Sequence, residues 1–104
     1  MIDKQEESIL KAGLTAPRVT PERLEQVIVS EQYHVFDGST LTVCVLTLRN
    51  GYTVVGESAC VDPANFNAEL GRKISRDNAK NKIWTLEGYL LRQSIFDSAE
   101  QEQK

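Results

Sequence analysis

Thr40-Leu41-Thr42-Val43-Cys44-Val45-Leu46-Thr47-Leu48-Arg49-Asn50-Gly51-Tyr52-Thr53-Val54-Val55-Gly56-Glu57-Ser58-Ala59 is the stretch that decides the fold. Two β-branched runs flank Asn50-Gly51, and both of those residues tolerate the positive φ of a tight hairpin turn. A two-residue type I′ turn there sets Arg49 against Tyr52, Leu48 against Thr53, Thr47 against Val54, Leu46 against Val55 and Val45 against Gly56. On that register Leu46, Leu48, Val55 and Ala59 share one face, and Val43, Val45 and Val54 share the other. Both faces are apolar, so such a sheet needs cover on both sides, from helices or from a second subunit.

Upstream, Tyr33-His34-Val35-Phe36 suits a short strand, and Asp37-Gly38-Ser39 is turn chemistry. Thr20-Pro21-Glu22 reads as a helix start: a capping hydroxyl, a proline in the first turn and an acid at the positive end of the dipole. Leu24, Val27 and Ile28 give that helix an apolar face. A smaller amphipathic fragment around Ile9, Leu10 and Leu14 ends at Ala16-Pro17.

Downstream, Asp62-Pro63 opens a helical region. Phe66, Leu70 and Ile74 lie four apart, and Trp84, Gly88 and Leu91 return to the same stripe. A second stripe, Ala79, Ile83, Leu86 and Leu90, runs along another side. Two stripes predict either a helix buried on two sides or a bend, placed here at Thr85. The polar segment 93–104 is expected to fray. The fold expected is therefore α+β: a three-stranded antiparallel meander (about 33–36, 40–49 and 52–59) between a helix over about 21–31 and a long, bent helical region over about 63–92. Residues 16–92 form the single domain, with 1–15 and 93–104 as flanking segments.

The 104 residues suffice for one domain, and 40% hydrophobic with 26% charged residues is within reach of a globular core. The net charge of −3 argues against a general polyanion binder. Cys44 and Cys60 form no Cys-x-x-Cys pair, and His34 is the only histidine, so spacing assembles no zinc set. Both cysteines read as reduced, partly buried residues. Met1–Gly13 lacks an apolar segment, so it is not read as a signal peptide, and no apolar stretch is long enough to span a membrane.

Leu46 through Asp62, followed by Phe66, Gly71-Arg72-Lys73-Ile74, Ala79 and Trp84-x-Leu86-Glu87-Gly88-Tyr89-Leu90-Leu91, resembles a family of small tailed-phage proteins. Its namesakes are gene forty-nine of coliphage N-four and gene sixty-six of Shigella phage S-f-six. The likeness extends upstream to Ala16-Pro17-Arg18-Val19-Thr20-Pro21 and departs at Thr85, where relatives are expected to carry proline. It implies a phage-encoded accessory protein in the host cytoplasm and brings no catalytic residues with it. The order helix, three strands, helix also resembles the double-stranded-RNA-binding domain. Ser75–Lys80 would then lie near that fold's phosphate-binding lysines, although the long Val61–Ile74 insertion and the small basic excess count against it.

The strongest cationic cluster is Arg72, Lys73, Arg76, Lys80 and Lys82. Arg72, Arg76 and Lys80 are four apart, so they share one side of a helix and can hold phosphate oxygens or an acidic protein surface. A solvated helix face is the plainer reading. Asp77 and Asn81, on the Phe66–Trp84 stripe, point to a buried polar network or a small-ligand pocket. Glu57 should oppose Cys44 across the hairpin, an arrangement that would hinder a thiolate. Tyr89 lies off both stripes and is expected at an interface.

These readings lead to a non-enzymatic accessory protein that contacts a host protein through Arg72, Lys73, Arg76, Lys80 and Tyr89. Nucleic-acid or nucleotide binding by the Arg72/Arg76/Lys80 ridge is the alternative. No cofactor, metal or membrane is called for, and a homodimer fits the two-sided sheet.

Overall fold

The computed structural model describes Gln5, Ser8, Ile9, Gly13 and residues 16–102. The expected helical fragment around Leu10 and Leu14 therefore lies mostly outside the described residues. The order is helix α1 (Pro21–Val27), strands β1 (Ile28–Val35), β2 (Thr42–Leu48) and β3 (Thr53–Ser58), a 3-10 turn (Pro63–Asn65) and helix α2 (Ala68–Glu102). The strands form one antiparallel sheet in the order β1-β2-β3. The α+β meander between two helices is thus the fold, with three differences in detail.

First, α1 is shorter and β1 longer than expected. Thr20 caps α1 by accepting from the Arg23 amide at 3.2 Å, with Pro21 in the first turn. The helix ends at Val27 because Val27-Ile28-Val29 are all β-branched, a run that favours the pleated conformation. Ile28 instead pairs with Leu48, and a bulge between Ile28 and Ser30 carries the chain from helix into strand.

Second, the hairpin has a three-residue turn. The Gly51 amide donates to the Leu48 carbonyl at 2.9 Å, and the Leu48 amide to the Tyr52 carbonyl at 2.8 Å. Gly51 has φ of +90°, while no non-glycine among the described residues has a positive φ. A type I′ turn would need one at Asn50, so the geometry is that of a type I turn closed by a left-handed glycine. The Asn50 side chain secures it by accepting from the Tyr52 amide at 3.0 Å. Thr47 therefore pairs with Thr53, Leu46 with Val54, Val45 with Val55, Cys44 with Gly56 and Val43 with Glu57. This is one residue from the expected register, so Val54 and Val55 exchange faces.

Third, α2 runs unbroken through Thr85 and continues past Arg92 to Glu102, 35 residues in all. Asn67 starts it, its side chain accepting from the Leu70 amide at 3.0 Å. No bend is needed, because one continuous line of α2 is buried: Ala79 and Ile83 of the second stripe belong to it, while the other residues of both stripes lie outside it. The helix buries Gly71, Ser75, Ala79, Ile83 and Glu87, a line of residues four apart. Phe66, Leu70, Ile74 and Trp84 lie on its flank, more than a third exposed.

The core is a single layer between sheet and helices. Thr42, Cys44, Leu46 and Leu48 of β2 and Val54 of β3 face Ala79 and Ile83, and α1 adds Leu24 and Val27. Gly56 makes the close approach possible: a Cβ there would collide with the Ser75 carbonyl and the Ala79 backbone. The opposite face of the sheet carries no described element.

Candidate functional site

The helix spacing that unites Arg72, Arg76 and Lys80 in sequence is realised, but the three cations have different surroundings. Arg76 is held on both sides. Its Nη2 and Nη1 donate to Glu25 Oε1 and Oε2 at 2.9 and 3.2 Å, and its Nε to Glu31 Oε2 at 2.7 Å. Lys80 Nζ lies 3.3 Å from Glu25 Oε2. Hydrogen bonds from Arg76 hold the Glu25 and Glu31 carboxyls below the usual carboxylate range, and the same bonds push the Arg76 pKa up. The middle of the ridge thus clamps α1 and β1 onto α2. Arg72 and Lys73, at the start of α2, are exposed and make no ion pair with any described residue.

Tyr89 lies at the other end. Seventeen residues separate it from Arg72, which is about 26 Å of helix. One compact partner contact cannot include both. Tyr89 is 73% exposed and stands beside Leu90 (59%), Leu86 (37%) and, from the hairpin tip, Tyr52 (57%). These four side chains line a cleft of about 630 Å³ together with Arg23, Val27, Leu48, Arg49, Asn50 and Glu87. An ion pair lies across it, Arg23 Nε to Glu87 Oε1 at 2.8 Å.

The local sequence explains the cleft. The turn glycine lets the chain reverse immediately after Leu48, which sets Tyr52 at the sheet's end. Helix α2 runs past that end, so Leu86, Tyr89 and Leu90 overhang it. Tyr89 was legible as an exposed residue because it fits neither stripe. Tyr52 was placed beside the turn by the expected hairpin, but nothing local brings it to α2, and the Arg23–Glu87 contact across 64 positions leaves no local pattern.

Other expectations resolve differently. Asp77 and Asn81 are exposed, so they form no buried network, because the buried line of α2 passes beside them. Cys44 pairs with Gly56, not Glu57, and the Glu57 side chain points to the opposite face. Burial in the core pushes the Cys44 thiol up. Desolvation likewise raises the Tyr33 phenol to about 12. His34 is exposed on β1 with its ring edge-on to Phe36, centroids 4.5 Å apart. Among the described residues no group of three or more His, Cys, Asp or Glu could hold a metal, and no helix is long and apolar enough to cross a membrane.

Residues 19–95 match a family model described as "Phage protein (N4 Gp49/phage Sf6 gene 66) family". No curated protein and no solved structure matches.

Proposed function

We propose that this chain, which belongs to the N4 Gp49/phage Sf6 gene 66 family of phage proteins, is a non-enzymatic accessory factor that binds a host protein in the host cytoplasm. The observation that carries this reading is the cleft between the hairpin tip and α2. Two tyrosines and two leucines converge there from separate elements, all more than a third exposed. Exposed aromatic and aliphatic side chains beside arginine are the composition of protein-binding hot spots, since tyrosine adds large contact area with few rotors to freeze. Arg49 stands at the rim with no ion pair to a described residue, which suits a partner segment that is apolar with an acidic flank.

The nucleic-acid alternative loses ground on the same geometry. A phosphate-binding ridge needs free cations, whereas Arg76 and Lys80 are occupied by Glu25 and Glu31. Of the Arg72/Arg76/Lys80 ridge only Arg72 stands clear; Lys73 and Lys82 also make no ion pair with a described residue but lie off that line of α2, and the chain has a net charge of −3.

The test is affinity capture from the bacterial host with the intact chain, followed by direct binding to the purified candidate. One nuclease-resistant partner, bound stoichiometrically, is expected, with affinity reduced at least about tenfold by Tyr89→Ala, the size of a hot-spot truncation. Arg72→Glu with Lys73→Glu should leave it unchanged. Loss with the double reversal but not with Tyr89→Ala, or recovery only of nuclease-sensitive material, refutes the proposal.

A further inference from the structure

The sheet turns one face to α2 and leaves the other uncovered by any described element. The pairing register arranges that open face in rows across the three strands. His34, Val43 and Glu57 form one row, Gln32, Val45 and Val55 the next, and Ser30, Thr47 and Thr53 the third. Valines occupy the centre: Val43 and Val45 on the middle strand, with Val55 41% exposed beside them. Phe36, 49% exposed and edge-on to His34, extends the apolar surface past the end of β1. An apolar centre with polar edges is the anatomy of an interface rather than of a solvated sheet.

The edges decide what fits. His34 stands on β1 and Glu57 on β3, at opposite ends of one row. Neither side chain makes an ion pair with a described residue. Lys82 of α2, the nearby cation, lines a hollow with Glu57 beside the β3 edge and makes no ion pair with it either. Now stack two copies face to face about a two-fold axis running along β2. The rotation lays each row on itself with its ends exchanged. Val43 meets Val43 and Val45 meets Val45, while His34 of each copy lies over Glu57 of the other. Aligned sheets pack about 10 Å apart with the strands about 30° from parallel, a separation that an imidazole and a carboxylate reaching from opposite sides can span. A face that is its own complement is what an isologous contact requires.

We propose that the open face of the sheet is the interface of a symmetric dimer, the occupant being a second copy of this chain with His34 set against its Glu57. This surface lies on the far side of the sheet from α2 and the tyrosine cleft, so the two contacts are compatible and independent. Three short strands offer a small area, and the dimer therefore forms in a concentration-dependent way.

Sedimentation analysis of the intact chain across a wide concentration range tests it. The mass should climb from that of the monomer to twice that value. Val45→Asp, which puts a carboxylate at the centre, should hold the chain monomeric while its circular-dichroism spectrum stays that of the wild type. His34→Glu, on an exposed edge strand, sets carboxylate against carboxylate and should weaken the dimer at least about tenfold, as like charges brought together do. Adding Glu57→Lys to His34→Glu should restore it, a rescue that mere loss of folding cannot mimic. A wild-type chain that stays monomeric throughout overturns the proposal. So does a dimer indifferent to His34→Glu, which would place the contact at a strand edge or at the cleft, or a double variant that fails to recover.

Discussion

Arg76 of α2 grips Glu25 of α1 with both terminal nitrogens, at 2.9 and 3.2 Å, while its Nε reaches Glu31 of β1 at 2.7 Å. One guanidinium thus ties together three elements that sequence places up to 51 positions apart. Bidentate geometry is what distinguishes arginine from lysine here, because the rigid fork meets both carboxylate oxygens at once.

The network predicts an acid-sensitive share of stability. Glu25 and Glu31 have folded-state pKa values below the ordinary 4.5, first through their hydrogen bonds with Arg76. A depressed carboxyl contributes stability that is fully present above the unfolded value and is lost as pH falls through the folded one. Arg76→Ala should therefore cost about 1 kcal/mol near neutral pH, a modest figure because both carboxylates are almost half exposed and screened. Below about pH 4.5 wild type and variant should converge. Urea unfolding of both chains across the acid range measures this, and a difference that stays constant down to the lowest pH refutes it.

Gly56 and Gly88 form a contrasting pair. A Cβ on Gly56 would collide with backbone atoms of Ser75 and Ala79, which no rotamer change relieves, whereas one on Gly88 meets nothing within 4 Å. Gly56→Ala should destabilise by at least about 2 kcal/mol, as overpacking at a backbone contact does. Gly88→Ala, inside α2, should stabilise by up to about 1 kcal/mol through helix propensity. Thermal melts of the two variants should move in opposite directions.

That contact also explains which parts of the fold were legible. Strands β2 and β3, the strand order and the Thr20 cap follow from β-branched runs, the Asn50-Gly51 turn and capping side chains, all local signals. The first half of β1 was read as helix, and Asp62 caps the 3-10 turn rather than α2. The packing face of α2 was only partly readable: the second stripe includes Ala79 and Ile83, but Gly71, Ser75 and Glu87 carry no hydrophobic signal. Periodicity instead drew attention to Phe66, Leu70, Ile74 and Trp84, which flank the contact. The register was missed by one residue because Asn-Gly serves both a two-residue turn and a three-residue turn with glycine last; the choice between them rests on Val54, not Val55, filling the core. Of the candidate site, Tyr89 was readable by elimination. The engagement of Arg76 was not, since helical spacing shows which cations share a side and says nothing of what lies opposite.

The two thiols should differ sharply in reactivity. Cys44 is fully buried and its pKa is raised by that burial, while Cys60, just after β3, is half-buried. The thiolate is the reactive species. Ellman's reagent at mildly alkaline pH should label Cys60 first and reach Cys44 only when the chain opens, so denaturant should release a second equivalent. Two equivalents reacting equally fast without denaturant would contradict the buried placement of Cys44.

Arg23 and Glu87 form a pair whose two halves are not equivalent. The Glu87 side chain is only 10% exposed, whereas that of Arg23 is 42% exposed and can turn outward if its partner is removed. Arg23→Ala leaves a carboxylate in the cleft wall without its donor, at a cost of about 2 kcal/mol. Glu87→Leu removes the group that needs compensation, extends the apolar surface of Leu86 and Leu90, and frees the guanidinium to reach water, so its effect should be close to neutral. Unfolding free energies of the two single variants and the double settle the asymmetry: the double should be no less stable than Arg23→Ala alone. Equal losses from both single variants would mean that the pair stabilises by attraction rather than by keeping a buried carboxylate satisfied.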